Sequence, residues 1–245
     1  MAESRELQIP PLFDRNSTEL PDPDRFTEGV IIPVDKPSGW SSFDVVKFVR
    51  NRLPVRKAGH AGTLDPKATG LLILCVGKAT KTVSRIQELE KVYEAVIRLG
   101  ATTPTYDTES KITDTSSWHH ITEKRVREVL FGQFTGNIKQ VPPAYSALRK
   151  EGARFYELAR KGVNIRPEPR NVSVHHIELL DMKLPDIHLR LTCSKGFYVR
   201  SLAYDLGIAL DSLGYLLNLR RTSIGPFDIQ TAWSIEEIKM WGDHG

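Results

Sequence analysis

Long apolar runs are missing from this chain of 245 residues. The longest, Val30–Val34 and Leu71–Val76, fall far short of the ~20 residues that a membrane-crossing helix needs. The first residues, Met1-Ala2-Glu3-Ser4-Arg5-Glu6, lack the basic-then-apolar order of a secretory signal. A cytoplasmic protein with no membrane partner is the default expectation. Cysteine is scarce: Cys75 and Cys193 are the whole supply. Both fall in apolar stretches that read as strands, so buried reduced thiols are expected and a disulfide framework is excluded. Neither has a partner at zinc-ligand spacing. His119-His120 and His175-His176 are adjacent pairs, whose members a strand would send to opposite faces. No metal site is expected. Phosphate-cradling glycine motifs and internal repeats are absent too.

What is present suits an ordinary folded protein. The chain is 40% hydrophobic and 26% charged, enough for one large domain or two small ones. Its net charge of +4 is compatible with nucleic acid and proves nothing alone. The distribution says more. From Arg149 to Arg170, seven basic residues, Arg154 and Lys161 among them, face three acids, with Phe155 and Tyr156 interleaved. A solvated helix face and a phosphate-tracking surface both fit this pattern.

Residues 1–28 are polar, with prolines at 10, 11, 21 and 23, and read as a flexible lead outside the core. Residues 29–245 are expected to form one catalytic domain. Gly29–Asp35 reads as a strand and Lys36-Pro37-Ser38-Gly39 as a turn. Ser41 or Ser42 caps a helix with Asp44 in its first turn and Val45, Val46, Val49 and Leu53 on one face. Lys57–Thr69 reads as a loop feeding a buried strand, Gly70–Val76. Lys91–Gly100 alternates, with Tyr93, Ala95, Ile97 and Leu99 on one side. Thr122–Phe131, Glu151–Lys161 and Tyr198–Leu210 read as helices, and Val172–Leu180 with Ile187–Cys193 as a hairpin. Strands and helices mix without βαβ alternation, so the expected class is α+β.

The loop Ala58-Gly59-His60-Ala61-Gly62-Thr63-Leu64-Asp65-Pro66 is the most informative segment. Its glycines permit close backbone approach. Pro66 biases Asp65 toward extended backbone. On local sequence alone, however, Asp65 is a turn-former, Tyr93 a core aromatic and Arg200 a surface helix residue.

The wording Gly-His-Ala-Gly-Thr-Leu-Asp-Pro-x-Ala-Thr-Gly-Leu-Leu resembles the catalytic loop of the TruB family of RNA pseudouridine synthases. Further segments resemble that family in order between Val30 and Phe227. They are Asp35-Lys36-Pro37-x-Gly-x-Ser-Ser, Lys91-Val92-Tyr93-Glu94, Thr105-Tyr106-Asp107, Gln140-Val141-Pro142-Pro143-Ala144-Tyr145-Ser146, Gly152-x-x-x-Tyr156, Cys193-Ser194-Lys195-Gly196-Phe197-Tyr198-Val199-Arg200 and Leu219-Arg220-Arg221. The resemblance implies a pseudouridine synthase fold: a central mixed, mostly antiparallel sheet flanked by helices, with an RNA-binding insertion. It implies a cofactor-free isomerase that flips a uridine, breaks its C1′–N1 bond and forms C1′–C5. Asp65 would then be the catalytic carboxylate, Arg200 its two-pronged partner, and Tyr93 the aromatic that stacks on the base and assists loss of the C5 proton. By the same resemblance Leu219 closes the pocket and His60 fills the vacated stack. Lys36 and Pro37 support the loop, and Tyr198 packs beside Arg200. Arg154 and Lys161 would grip the RNA backbone.

Phe197 stands where family members often carry Thr or Ser, which is expected to alter packing and not chemistry. Many relatives continue into a C-terminal PUA domain; here Asp228–Gly245 is too short for one. The expected partner is therefore the T-arm stem-loop of tRNA, with the uridine conventionally numbered 55 as target, no guide RNA, and a monomeric enzyme. Guide-dependent modification and non-catalytic RNA folding are the competing readings.

Overall fold

The computed structural model describes residues 10–19, 21–146, 148–150, 153–163 and 167–241. The chain forms two compact units, Met1–Leu89 with Arg220–Gly245, and Glu90–Leu219.

The first unit begins with α1 (Pro23–Glu28), β1 (Val30–Lys36), α2 (Ser42–Arg50), β2 (Ala58–Ala61), β3 (Thr69–Val76) and α3 (Val83–Glu88). β1 and β3 pair antiparallel along their whole length, from Val30 opposite Val76 to Lys36 opposite Gly70. Both faces of this ladder are covered, which explains the unbroken apolar run of β3. Leu72, Leu74 and Val76 pack with Val30, Ile32 and Val34 against Val45, Val46 and Val49 of α2. Leu71, Ile73 and Cys75 point the other way, onto Ile86, Ile224 and Phe227. α2 starts as its sequence suggests, in a capping box in which Ser41 and Asp44 satisfy each other's backbone N–H groups.

Two expectations are corrected here. The stretch before residue 29 was expected to lie outside the core. Residues 1–9 are not among those described, but Phe13 and Phe26 are buried in the core with Val30 and Ile32. The Phe13 N–H donates to the Ile31 carbonyl at 2.8 Å, and the Ile31 N–H to the Pro11 carbonyl at 2.9 Å. Two isolated aromatics in a polar, proline-rich stretch set up no periodicity, yet each buries a large apolar area. Second, the expected loop 57–69 contains β2, whose residues Ala58–Ala61 pair with Val76–Ile73 of β3. Glycine and histidine hid a strand that β3 recruits through its free edge.

The second unit contains β4 (Lys91–Leu99), β5 (Ala101–Thr102), β6 (Asp114–Thr115), α4 (Glu123–Gln133), β7 (Gly136–Gln140), β8 (Arg149–Lys150), β9 (Ala153–Arg154), α5 (Phe155–Arg160), β10 (Arg170–Lys183), β11 (Asp186–Cys193) and α6 (Val199–Ala209). β12 (Gly214–Ile224) follows and carries the chain back to the first unit at Arg220. β4, β11, β10 and β7 are antiparallel neighbours in that order. β4 alternates as read, its odd-numbered residues buried from Lys91 to Leu99. Arg98 and Asp186 close one end of the β4–β11 ladder with two contacts of 2.7 Å. The expected helix 151–161 is shorter. Ala153 and Arg154 pair with Lys150 and Arg149, so α5 begins only at Phe155. His175 and His176 are both exposed, because a register shift between Val174 and His176 interrupts strict alternation.

The chain ends in the first unit with β13 (Phe227–Asp228), β14 (Trp233–Ser234) and α7 (Ile235–Lys239). β14 runs parallel to β1, and Ile235 and Ile238 join the core beside Phe13. The sheet is thus mixed: β3 also meets Arg220 and Arg221 of β12 in parallel.

Candidate active site

In the first unit, β1 flanks one edge of β3. The other edge is shared: β2 lies against residues 73–76 and β12 against residues 69–70. The loop carrying Asp65 leaves from β2 and returns into β3. It is held at nearly every residue. The Arg221 guanidinium, 1% exposed, donates from Nη2 to the Gly62 carbonyl at 3.0 Å and from Nε to the Leu71 carbonyl at 2.8 Å. The Leu64 N–H donates to Ser42 Oγ at 2.9 Å, and that hydroxyl donates to the Leu64 carbonyl at 3.1 Å. The Gly39 N–H donates to the Pro66 carbonyl at 2.8 Å. The Ser38 hydroxyl donates to the Lys67 carbonyl at 3.3 Å.

Lys36 completes the clamp. It is fully buried, and its ammonium donates to the carbonyls of Trp40 (2.7 Å), Pro37 (2.9 Å) and Pro66 (3.3 Å). This ties the turn after β1 to the residue following Asp65. Burial pushes the Lys36 ammonium down to about 8; Asp65 draws it back up, and Arg221 lowers it further. His60 lies beside the same guanidinium. Burial, and then the charge of Arg221, hold its imidazole below the usual histidine value. Its Nδ1 is buried without a hydrogen-bond partner. Such a ring stays neutral near pH 7 and is suited to stacking. Asp65 itself is half-buried. Gly70, at φ +102°, shows why β12 comes so near: a Cβ there would meet Arg221 backbone atoms at 2.3–2.7 Å.

In the second unit the segments resembling family motifs are stitched together around Arg200, which sits on α6 and is 5% exposed. Local sequence made it a surface residue; the structure buries it. Its Nη1 donates to the carbonyls of Thr105 (3.1 Å) and Tyr145 (3.0 Å), and its Nε lies 3.7 Å from Asp107 Oδ2. Asp107 is fixed in turn. It accepts from the Thr105 hydroxyl at 2.6 Å and the Glu109 N–H at 2.9 Å. Tyr106, between them, has φ +59° and stacks on Tyr204 with ring centroids 4.2 Å apart. Gln140 reads the backbone of Tyr198 with both ends of its amide, at 2.8 and 3.0 Å. The Ser201 hydroxyl donates to the Val141 carbonyl at 2.7 Å. Tyr198 is half-buried at the start of α6, while Tyr93 and Leu219 are buried on β4 and β12.

Among the sequence-derived candidates, Lys36, Pro37, His60 and Asp65 come together in the first unit. Tyr198 and Arg200 lie at the start of one helix in the second. Lys161 is exposed just after α5. The side chain of Arg154 and all of Arg166 lie outside the described residues. Sequence reasoning offered Ser42 as a helix cap and placed Asp107, Gln140 and Arg221 in family-like segments, but it foresaw none of the contacts they make. Arg220, adjacent to Arg221, does something else: it forms a two-pronged pair with Asp35 at 2.7 and 3.1 Å.

Residues 50–199 match the family model described as TruB family pseudouridylate synthase, N-terminal domain. The chain is 46% identical to a tRNA pseudouridine synthase B of Flavobacterium johnsoniae over 220 residues, covering 87% of this chain and 96% of that protein. It is 45% identical to the tRNA pseudouridine synthase B of Bacteroides fragilis over 224 residues, 89% of this chain and 96% of that one. Among solved structures, an archaeal box H/ACA sRNP complex aligns with TM-score 0.64 at 28% identity, over 87% of this chain and 53% of the other. Spanning nearly the whole length of these two relatives, and matching the family model over most of its own, the chain belongs to the TruB family of pseudouridine synthases.

Proposed function

We propose that this protein is a tRNA pseudouridine synthase that isomerises the T-loop uridine, acting without cofactor or guide RNA. The observation that carries this reading is the identity of about 45% over nearly the full length of relatives named tRNA pseudouridine synthase B. The clamped Asp65 loop supports it. A carboxylate held by backbone contacts at residues 62, 64 and 66 is preorganised and loses little on binding. In the proposed reaction the C1′–N1 bond breaks, Asp65 stabilises or traps the ribose fragment, the base turns, and C1′–C5 forms. The C5 proton is then lost and N1 is protonated, so atoms balance with no external group. Tyr93 is assigned to the target base and the neutral His60 ring to the stack the uridine vacates.

The test uses uridine-5-tritiated tRNA. Wild-type protein should release tritium. Asp65→Asn should lose turnover by several orders of magnitude while retaining tRNA binding, because phosphate contacts carry the affinity. Turnover retained in Asp65→Ala would overturn the assignment.

A further inference from the structure

The first unit carries a charged surface that the sequence reading passed over. From Lys47 to Lys57 the chain has five cations, Lys47, Arg50, Arg52, Arg56 and Lys57, and no acid. Lys47, Arg50, Arg56 and Lys57 are exposed, and among the described residues none of these four forms an ion pair within 4 Å of a carboxylate; Lys47 feels Asp44, one turn back, only through its charge. Several other arginines at or near the surface are paired instead: Arg98 with Asp186, Arg127 with Glu123, Arg190 with Glu94, Arg220 with Asp35. Lys47 also lines a groove of about 440 Å³, walled with it by Trp40, Phe48, Asn51 and Arg52. Trp40 and Phe48 meet edge-on at 5.3 Å, and the Arg52 guanidinium lies 3.8 Å from the Phe48 ring centre. Phe43, 65% exposed, stands on the same helix. Asp44, the acid on the groove wall, is committed to the N–H and hydroxyl of Ser41 at 2.8 and 2.6 Å. Unpaired cations beside flat aromatic faces are what a nucleic-acid strand binds: phosphates to the charges, a base or ribose to the rings.

We propose that the surface from Lys47 on α2 through the turn to Lys57, with the Trp40–Phe48 groove, is an RNA-contact surface additional to the Arg149–Arg170 segment. The inference rests on the reading that the substrate is a tRNA. Continuity with the loop supports it. Ser42, at the start of α2, holds Leu64, and Gly39 holds Pro66. RNA seated on this face would press on the element that carries Asp65.

The test compares two triple variants of the full chain that remove equal charge, each taking the net +4 to +1. One is Lys47→Gln/Arg50→Gln/Arg56→Gln. The control is Lys78→Gln/Lys81→Gln/Arg85→Gln, three exposed residues elsewhere in the same unit. Binding of unmodified tRNA is measured by filter retention over a salt series, with tritium release for kcat and KM. For the α2 triple, Kd and KM should rise about tenfold near physiological salt, and the slope of log K against log salt should fall by about two. KM should move more than kcat, and the control should stay within about twofold of wild type on every readout. Equal effects in both triples would mean that only net charge matters and would overturn the proposal, as would an unchanged slope in the α2 triple. A wild-type protein that binds tRNA yet releases no tritium would defeat the assigned function, while the binding arm would still decide this surface.

Discussion

Replacing Lys36 by Met tests whether a buried charge organises the Asp65 loop. The ammonium is fully enclosed and donates to three carbonyls, two in its own turn and one at Pro66. Charge-assisted bonds of this kind contribute roughly 1.5–3 kcal/mol each. Against them stands the cost of burying the cation, visible in its fall from 10.5 to about 8. At about 1.4 kcal/mol per pH unit that fall converts to about 3 kcal/mol. Net, Lys36→Met should lose about 3 kcal/mol at pH 7. The pH dependence is the sharper test. Between about 8 and 10.5 the unfolded chain still binds the Lys36 proton and the folded chain does not. Stability from this group therefore rises with pH across that window and is lost as pH falls through about 8. Urea unfolding of both proteins from pH 7 to 11 should show the wild-type advantage widening by about 3 kcal/mol, other titrations cancelling in the difference. A difference that stays flat or narrows over this range would refute the argument.

Three further outcomes are expected. Arg221→Lys keeps the charge, but an ammonium lacks the planar fork that reaches both Gly62 and Leu71; a loss of about 2 kcal/mol in thermal unfolding, together with reduced kcat, is expected, and a variant with wild-type Tm and turnover would show the fork to be dispensable. Cys75 and Cys193 are both buried, and burial pushes the Cys75 thiol up to about 11; at pH 8 a thiol reagent should modify the native protein only as fast as it opens, and free-thiol rates without denaturant would contradict that packing. An isolated T-arm hairpin should be modified with kcat/KM within about tenfold of whole tRNA, a difference of about 1.4 kcal/mol; a hundredfold preference for whole tRNA would mean that contacts beyond the T-arm carry much of the binding.

Much of the site was legible because its motifs are contiguous. His60 to Pro66 run without a break from the end of β2 into the loop that follows, and Tyr198 to Arg200 open one helix. What holds them was not. Arg221 reaches Leu71 and Gly62 across 150 and 159 residues of chain, and Gln140 reaches Tyr198 across 58. A glutamine before Val-Pro-Pro announces no partner. Arg220 and Arg221 look alike in sequence, yet strand alternation sends one to Asp35 and the other under the loop.

The sequence by itself determined the elements whose periodicity is strong: the alternation of β4, the capped and amphipathic α2, the apolar run of β3, and the order of family motifs. These are properties of neighbouring residues, written in steps of two, three and four. Tertiary structure alone decided that Phe13 and Phe26 complete a core, that Ala58–Ala61 is a strand, and that Lys36 and Arg221 are buried cations. Each of these depends on a partner far along the chain. Phe13 needs Trp233 and Trp241, at ring distances of 5.1 and 5.2 Å, and β2 needs the free edge of β3. Burial of a charge is favourable only where carbonyls already point at it. For Lys36 those carbonyls exist only once the turn after β1 and the Asp65 loop have been brought together by the fold.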